Sequence, residues 1–374
     1  MTVYLDYSAT TPVLPEVADL VYKMMVEEYG NAGSRTHEYG VSAKRAVEIA
    51  RAQVAALANV DKNEIIFTSG ATESNNIAIL GMREFAERSG KKHIITSKIE
   101  HKAVLEPIAY LEKLGFSVTY LNVASDGKVD TDHLKASLRD DTILVSIMHV
   151  NNETGTIQPL DDICQLLMGH EAYLHVDAAQ SYGKYPYGLE DPRIDFISVS
   201  GHKLYAPKGI GALITRRRGF LKPPLAPIFF GGGQEKGLRP GTLATPLIAG
   251  LGLACELANV NKDKWIRNVS ELKKDFILAI KELGATINGS DTSPYILNFS
   301  IPGVNSEAAM VKLKGLIAVS NGSACTSSNY TSSHVLVAMG YDIARIQSAI
   351  RVSFGGYSQD IPYDEIIKKI RSLL

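Results

Sequence analysis

Cysteine is scarce in this sequence: Cys164, Cys255 and Cys325 are the only three in 374 residues. They are too few and too scattered for a disulfide framework or a metal cluster, so no metal site is expected. A reduced, cytoplasmic setting suits such a chain. An excess of charge of either sign is also missing, because 39 Lys and Arg stand against 40 Asp and Glu for a net charge of −1. The long-range field that draws proteins onto nucleic acid or anionic membranes is therefore absent. No apolar run is long enough to cross a bilayer. The opening MTVYLDYSATTPVLPEV lacks the basic segment and apolar core of a secretory signal. What remains, 45% hydrophobic and 21% charged, is an ordinary globular composition long enough for two domains.

Short apolar runs alternate with amphipathic stretches through the first two thirds. EIIFTS (64–69), KHIITS (92–97), TILVSIMHV (142–150), AYLHVDAA (172–179), DFISVS (195–200) and GIGALIT (209–215) read as strands. Between them lie helical patterns such as 42–58 and 73–89. Strand then helix, repeated, with β-branched strands that lack polar alternation, predicts an α/β fold with a mostly parallel sheet covered on both faces. Such sheets bind ligands beyond the carboxyl ends of their strands. The segment 12–30 reads as a helix stopped by Gly30. Beyond about residue 245, two long helical patterns precede short strands at YILNFS, LIAVS and AIRVSF, and DEIIKKIRSLL closes the chain. This predicts a large domain over 16–245 and a smaller α/β domain from 246–374 with 1–15. The glycine-rich run 222–242 is too long for a plain connector and is a candidate functional loop. Its FFGGGQEKG lacks the Lys-Ser/Thr ending of a P-loop.

Polar groups gather just past the strands. Gly70-Ala71-Thr72-Glu73 opens a helix whose free N–H groups suit a phosphate, although Thr72 with Glu73 is equally an ordinary cap. Glu100-His101 follows the next strand, and a lone histidine there is more often structural. Asn151-Asn152-Glu153-Thr154-Gly155 reads first as a turn. Asp177 ends an apolar strand among alanines, where a carboxylate requires a cationic partner or neutralisation. Lys203 lies at the tip of DFISVS, one strand–helix step later. A phosphate-binding turn, an aromatic ring, a buried carboxylate and an amine converging on one sheet edge suit pyridoxal phosphate. Cys164 and Cys255 sit in apolar helical patterns and read as inert buried thiols. Cys325, in SNGSACTSSNYTSSH, has neighbours that cannot bury it.

The motifs YLDYSATTP, FTSGATESNN, EHKAVLEP, VNNETG, HVDAAQ, SGHKLYAPKGIGAL, LRPGT, GSACTS and RVSFG, in this order, resemble the cysteine desulfurases. These form the NifS/IscS-like branch of the fold-type I, class V aminotransferase superfamily. The resemblance implies a seven-stranded large domain and pyridoxal phosphate bound through Lys203. It places Asp177 at the ring nitrogen, Gln180 near the ring oxygen and His101 on the ring face. Ala71, Thr72, Ser200 and His202 are implied at the phosphate, with Thr242 reaching it from a second protomer of a homodimer. Asn152, Arg351 and Asn31 are implied at the substrate. Arg351, in IRVSF, would otherwise read as a solvated charge at a strand edge. Cys325 becomes the nucleophile that takes sulfur from L-cysteine, with Lys203 and His101 handling protons, and a sulfur-acceptor protein receives the persulfide.

Within the family, GNAGSR, RPGT and CTSSNYTSSHVL are most similar to DndA, the desulfurase of DNA phosphorothioate modification. After RVSFG only one helix is expected before Leu374, short of the tail by which housekeeping iron–sulfur desulfurases engage their scaffold. That branch implies sulfur handed to a DNA-modifying partner with no DNA contact by this chain. Alternatives are a desulfurase serving iron–sulfur clusters or tRNA thiolation, a selenocysteine lyase, an aminotransferase, and a non-catalytic scaffold that binds sulfur carriers.

Overall fold

A computed structural model describes residues 2–321, 332–357 and 360–374. In chain order its strands are β1 (Val3–Tyr4), β2 (Ile65–Thr68), β3 (His93–Ser97), β4 (Ser117–Leu121), β5 (Thr142–Met148) and β6 (Tyr173–Asp177). There follow β7 (Phe196–Ser200), β8 (Gly211–Thr215), β9 (Thr286–Ile287), β10 (Ile296–Ser300), β11 (Ile317–Ala318) and β12 (Ala349–Ser353). Seven strands make one sheet in the order β2-β8-β7-β6-β5-β3-β4, in which only β8 runs against its neighbours. β2, β3, β5 and β7 are buried along their whole length, as strands covered on both faces must be. β4, absent from the sequence reading, is the far edge of the sheet. Its SVTYL is mostly half-exposed, so it lacks the continuous apolar run that marks its neighbours.

The sheet core is not wholly apolar. His175 on β6 bonds Ser146 Oγ on β5 at 2.8 Å through Nδ1 and Ser198 Oγ on β7 at 3.0 Å through Nε2. Burial lowers the pKa of this imidazole to about 4, so it serves as a neutral cross-strand link.

A second, antiparallel sheet has the order β12-β10-β9, and β1 pairs in parallel with β11. The bridges Asp6–Ser353 and Ser320–Arg351 stitch these two sheets together. The two long helical patterns form one continuous helix, Thr245–Lys281, since neither Gly nor Pro interrupts the polar stretch between them. In its first half Gly252 lets it touch the helix Glu38–Ala56, where a Cβ would stand 2.5 Å from Ala50 Cα. In its second half Phe276 packs on Phe299 and Phe354 at centroid distances of 5.9 and 6.1 Å. A single rod thus joins the two sheets.

Two helix boundaries differ from expectation. The helix Pro15–Val26 ends at Glu27, before Gly30. Gly30 serves close packing instead, because a Cβ there would meet Tyr39 O at 2.1 Å. The pattern over 73–89 splits into Ala71–Leu80 and Arg83–Ser89, where the loop residue Ala226 donates to Gly81 O. No helix among the described residues is long and apolar enough to cross a membrane.

Candidate active site

A cavity of about 420 Å³ lies beyond the carboxyl ends of β2, β3, β5, β6 and β7. Of the residues expected from the sequence, Ala71, Thr72, His101, Asn152, Asp177 and Gln180 line it, as do Ser200, His202 and Lys203. They arrive on five turns, after β2, β3, β5, β6 and β7. Lys203 ends the 3-10 turn Gly201–Lys203 that caps β7, while Asp177 is the last residue of β6.

The helix Ala71–Leu80 begins at Gly70 with φ 155° and no side-chain cap, so its first N–H groups are left for another acceptor. Close approach of β8 shapes this turn. A Cβ on Gly211 would stand 2.4 Å from Val199 O and 2.6 Å from Gly70 Cα, so only glycine fits there. Thr68 Oγ1 and Ser74 Oγ lie 2.8 Å apart, and Ser74 donates on to Ala212 O. An uncapped, rigidly held helix start is an anion site in waiting. Glu73 faces away from that role, since its carboxylate accepts from Ser69 N at 2.8 Å and from Arg239 Nε at 2.8 Å. Burial would raise the Glu73 carboxyl, but these hydrogen bonds outweigh it and hold it below the usual range. The Arg239 pair ties the loop carrying Thr242 to the helix start.

Among the described residues Asp177 is held by neutral donors. Its Oδ2 accepts from Asn75 Nδ2 at 2.8 Å and its Oδ1 from Ala179 N at 2.9 Å. Asn75 was missed, because one turn into an apolar helix it carries no signal in the sequence. His101 caps the helix Lys102–Lys113 by accepting from Ala103 N at Nδ1, which leaves the neutral ring's proton on Nε2. Burial lowers its pKa; Asp177 pulls the other way and Lys203 adds to the lowering. His202 is held down to about 4 by burial and by Lys203, Lys208 and Lys184. Gln180 donates Nε2 to Ser8 O at 2.9 Å, leaving Oε1 buried without a partner among the described residues.

Two acids behind the cavity were not singled out. Glu100 Oε1 accepts from Ser97 Oγ at 2.6 Å and Met148 N at 3.0 Å, and burial raises the carboxyl to about 8. Glu153, also raised by burial, accepts from Ser333 Oγ. The predicted turn at 151–155 is present, built by Asn151 Oδ1 accepting from Glu153 N and Thr154 N.

Arg351 is 2% exposed, so the solvated strand-edge reading fails. It does not line the cavity itself. Its Nη1 donates to the carbonyl of Asn152, which does, and its Nη2 to Asp6 Oδ1, both at 2.8 Å. Nε is buried and unpaired among the described residues. Asn31 and Thr242 are exposed and do not line the cavity of this chain; Asn31 Oδ1 accepts from Gly33 N. Cys325 lies outside the described residues. Cys164 and Cys255 are buried, with thiols raised by burial, the first to about 12.

The residues present fit pyridoxal phosphate. The uncapped helix start suits its phosphate, the Asp177 carboxylate its ring nitrogen, the unpaired Gln180 oxygen a ring hydroxyl, and the Lys203 amine its aldehyde.

The family described as Aminotransferase class-V matches residues 3–361. A cysteine desulfurase IscS of Shewanella sp. (strain W3-18-1) is 47% identical over 375 residues, covering 99% of this chain and 92% of that protein. A solved NifS-like protein superposes with a TM-score of 0.92 at 38% identity, covering 100% of this chain and 99% of that one. The crystal structure of DndA from Streptomyces lividans gives a TM-score of 0.82 at 47% identity, with coverage of 94% and 99%.

Proposed function

The chain belongs to the class-V aminotransferase family and is a pyridoxal-phosphate-dependent cysteine desulfurase, and from that premise we propose how its residues share the work. The carrying observation is that nine candidate residues from five turns meet in one cavity, with Lys203 and Asp177 both on its wall. We read 16–245 as the large domain, and 246–374 with 1–15 as the small one.

When bound, the cofactor acts as an electron sink for the substrate's Cα. Lys203 would hold it covalently and, once displaced by the substrate amine, take the Cα proton. Asp177 would keep the ring nitrogen protonated, and Asn75 would fix the carboxylate for that task. The N–H groups of Ala71 and Thr72, with Ser200 and His202, would grip the phosphate, and Thr242 would do so from a partner subunit. His101 would stack on the ring and present its Nε2 proton. The substrate carboxylate would be received by Arg351 and Asn152, whose present bond to each other and the unpaired Nε mark a fork ready to re-pair. Asn31 would join them. The thiolate of Cys325 would attack the substrate sulfur, forming an S–S bond as the Cβ–S bond breaks, with persulfide and L-alanine as products.

Sulfur then goes to an acceptor protein. Relatives of equal identity, IscS and DndA, support iron–sulfur assembly and DNA phosphorothioation alike. The GNAGSR, RPGT and CTSSNYTSSHVL segments favour the second, in the cytoplasm and without DNA contact by this chain. Incubation with L-cysteine should yield alanine and protein-bound persulfide in the wild type. Alanine should vanish in Lys203→Ala, and persulfide in Cys325→Ser. Alanine release that survives Cys325→Ser would turn the reading toward a lyase. Sulfur in DNA digests that persists when the gene is deleted would sink the phosphorothioation branch and leave iron–sulfur assembly.

A further inference from the structure

The glycine-rich run 222–242 carries Thr242, and a buried ion pair that the chemistry above leaves unused roots it in the fold. Arg51, on the helix Glu38–Ala56, donates from Nη2 to Glu235 Oε1 at 2.6 Å and from Nη1 to Glu235 Oε2 at 2.9 Å. The two side chains are 9% and 1% exposed. Arg51 Nη1 also donates to Ile65 O at 2.8 Å, and the guanidinium lies over the Phe67 ring, 4.7 Å from its centroid. Glu48, on the same helix, stands 3.6 Å from Arg51 Nε. Glu235 Oε2 accepts in addition from Phe67 N at 2.7 Å. Since β2 ends the order of the seven-stranded sheet, the loop carboxylate stands where a further strand would have paired.

The backbone at this root is strained. Glu235 and Lys236 have φ of 45° and 60°, in the left-handed region that neither residue type favours. Such a segment persists only where its surroundings over-determine it. The ion pair does so from one side, and Lys236 Nζ on Asn63 O with Arg239 on Glu73 does so from the other. One more link carries the position onward. Gln234, beside Glu235, accepts at Oε1 from the N–H of Gly241, beside Thr242, at 3.0 Å. Thr242 itself is exposed and does not line the cavity of its own chain.

We propose that Arg51 and Glu235 are positioning residues that act in trans: their buried pair sets the depth and direction in which the loop presents Thr242 to the cofactor phosphate of a partner subunit. The proposal rests on the reading of Thr242 as a contact made from a second protomer. A buried ion pair adds little net stability once its desolvation is counted, so what a two-pronged one supplies here is geometry.

The test uses the full-length chain and equilibrium titration with pyridoxal phosphate, read from the visible band of the lysine-bound cofactor. Glu235→Gln keeps the side-chain shape and removes the charge, while Thr242→Ala removes the contact. In homodimers each should weaken cofactor binding about ten- to hundredfold, as expected for one hydrogen bond to a charged group. Both changes in one chain should cost no more than Thr242→Ala alone, because the pair acts through that contact. Mixed dimers, isolated with two affinity tags, separate the subunits. When Glu235→Gln is paired with Lys203→Ala, the one site with a lysine is served by an intact loop and should bind as the wild type does. When the wild-type chain is paired with the double variant Lys203→Ala/Glu235→Gln, that site is served by the altered loop and should bind weakly. Arg51→Lys, which keeps the charge and loses the fork, replaces Glu235→Gln if that variant does not fold. Equal affinities in the two mixed dimers, or additive losses in one chain, overturn the proposal and leave the pair a support for its own β2. Wild-type affinity in Thr242→Ala would instead overturn the reading of Thr242 itself.

Discussion

Asp177 and Arg351 are both buried charges at this site, yet they are held in opposite ways. The carboxylate is fixed by groups of the seven-stranded sheet and its covering helix: Asn75 on the helix after β2, and the N–H of Ala179 in its own turn. The guanidinium is fixed by groups remote in sequence, Asn152 from the turn after β5 and Asp6 from the N-terminal segment. The anchoring of Asp177 is complete within one sheet and its covering helix. That of Arg351 exists only where the second sheet, β1 and β11 are docked on the first. On the roles proposed above, cofactor affinity and substrate affinity answer to different parts of the molecule, and substitutions can separate them.

The sharpest separation is expected from Asp177→Asn. It should lower kcat by about 10²–10³-fold, because a charge prearranged against the reacting centre is lost. The shape of the site would survive, and the bound-cofactor spectrum checks that. Next comes Arg351→Lys, which gives up the two-pronged grip. KM for L-cysteine should rise about 10- to 100-fold, from hydrogen bonds to a charged group worth ~1.5–3 kcal/mol. Cofactor binding, measured by equilibrium titration, should be unchanged. If Arg351→Lys weakens the cofactor as much as the substrate, the division between the two halves is wrong.

Asn75→Ala leaves an oxygen of Asp177 unpaired in a buried place. It should cost about 1–3 kcal/mol in urea unfolding and loosen the cofactor without touching KM. The last prediction concerns stability alone. His149 and His175 are held neutral by burial, each with a pKa lowered to about 4. Below their unfolded value of about 6.5 the unfolded chain binds more protons than the folded one. Stability should thus be intact above pH 6.5 and fall as the pH drops toward 4, by up to ~1.4 kcal/mol per pH unit for each ring. His175→Asn should flatten part of that slope, read from urea midpoints at pH 7 and 4.5.

The same division governs what the sequence disclosed. Strands β2, β3, β5, β6, β7 and β8 announce themselves as β-branched apolar runs because both of their faces are covered. The residues just after them are conspicuous for being polar where the run stops. β4 escapes because an edge strand needs no such run, and SVTYL is half-exposed. Asn75 escapes because its partner lies 102 residues away and its own neighbours spell an ordinary helix. Arg351 is legible only through the family resemblance; its local sequence describes a strand and says nothing of Asp6 or Asn152. The single long helix was read as two because its polar middle, 259–264, looks like a break. Within it only N, V, K and D occur, and none of them stops a helix.

Gly211 carries one last implication. It contacts nothing in the cavity and holds no ligand, yet the backbone of β8 passes so near Gly70 that one methyl group would wedge the two apart. A change as slight as Gly211→Ala would therefore tilt the first turn of the neighbouring helix off its target. The grip on phosphate would slacken while every residue that makes that grip stayed in place, a lesion that no inspection of the binding surface would reveal.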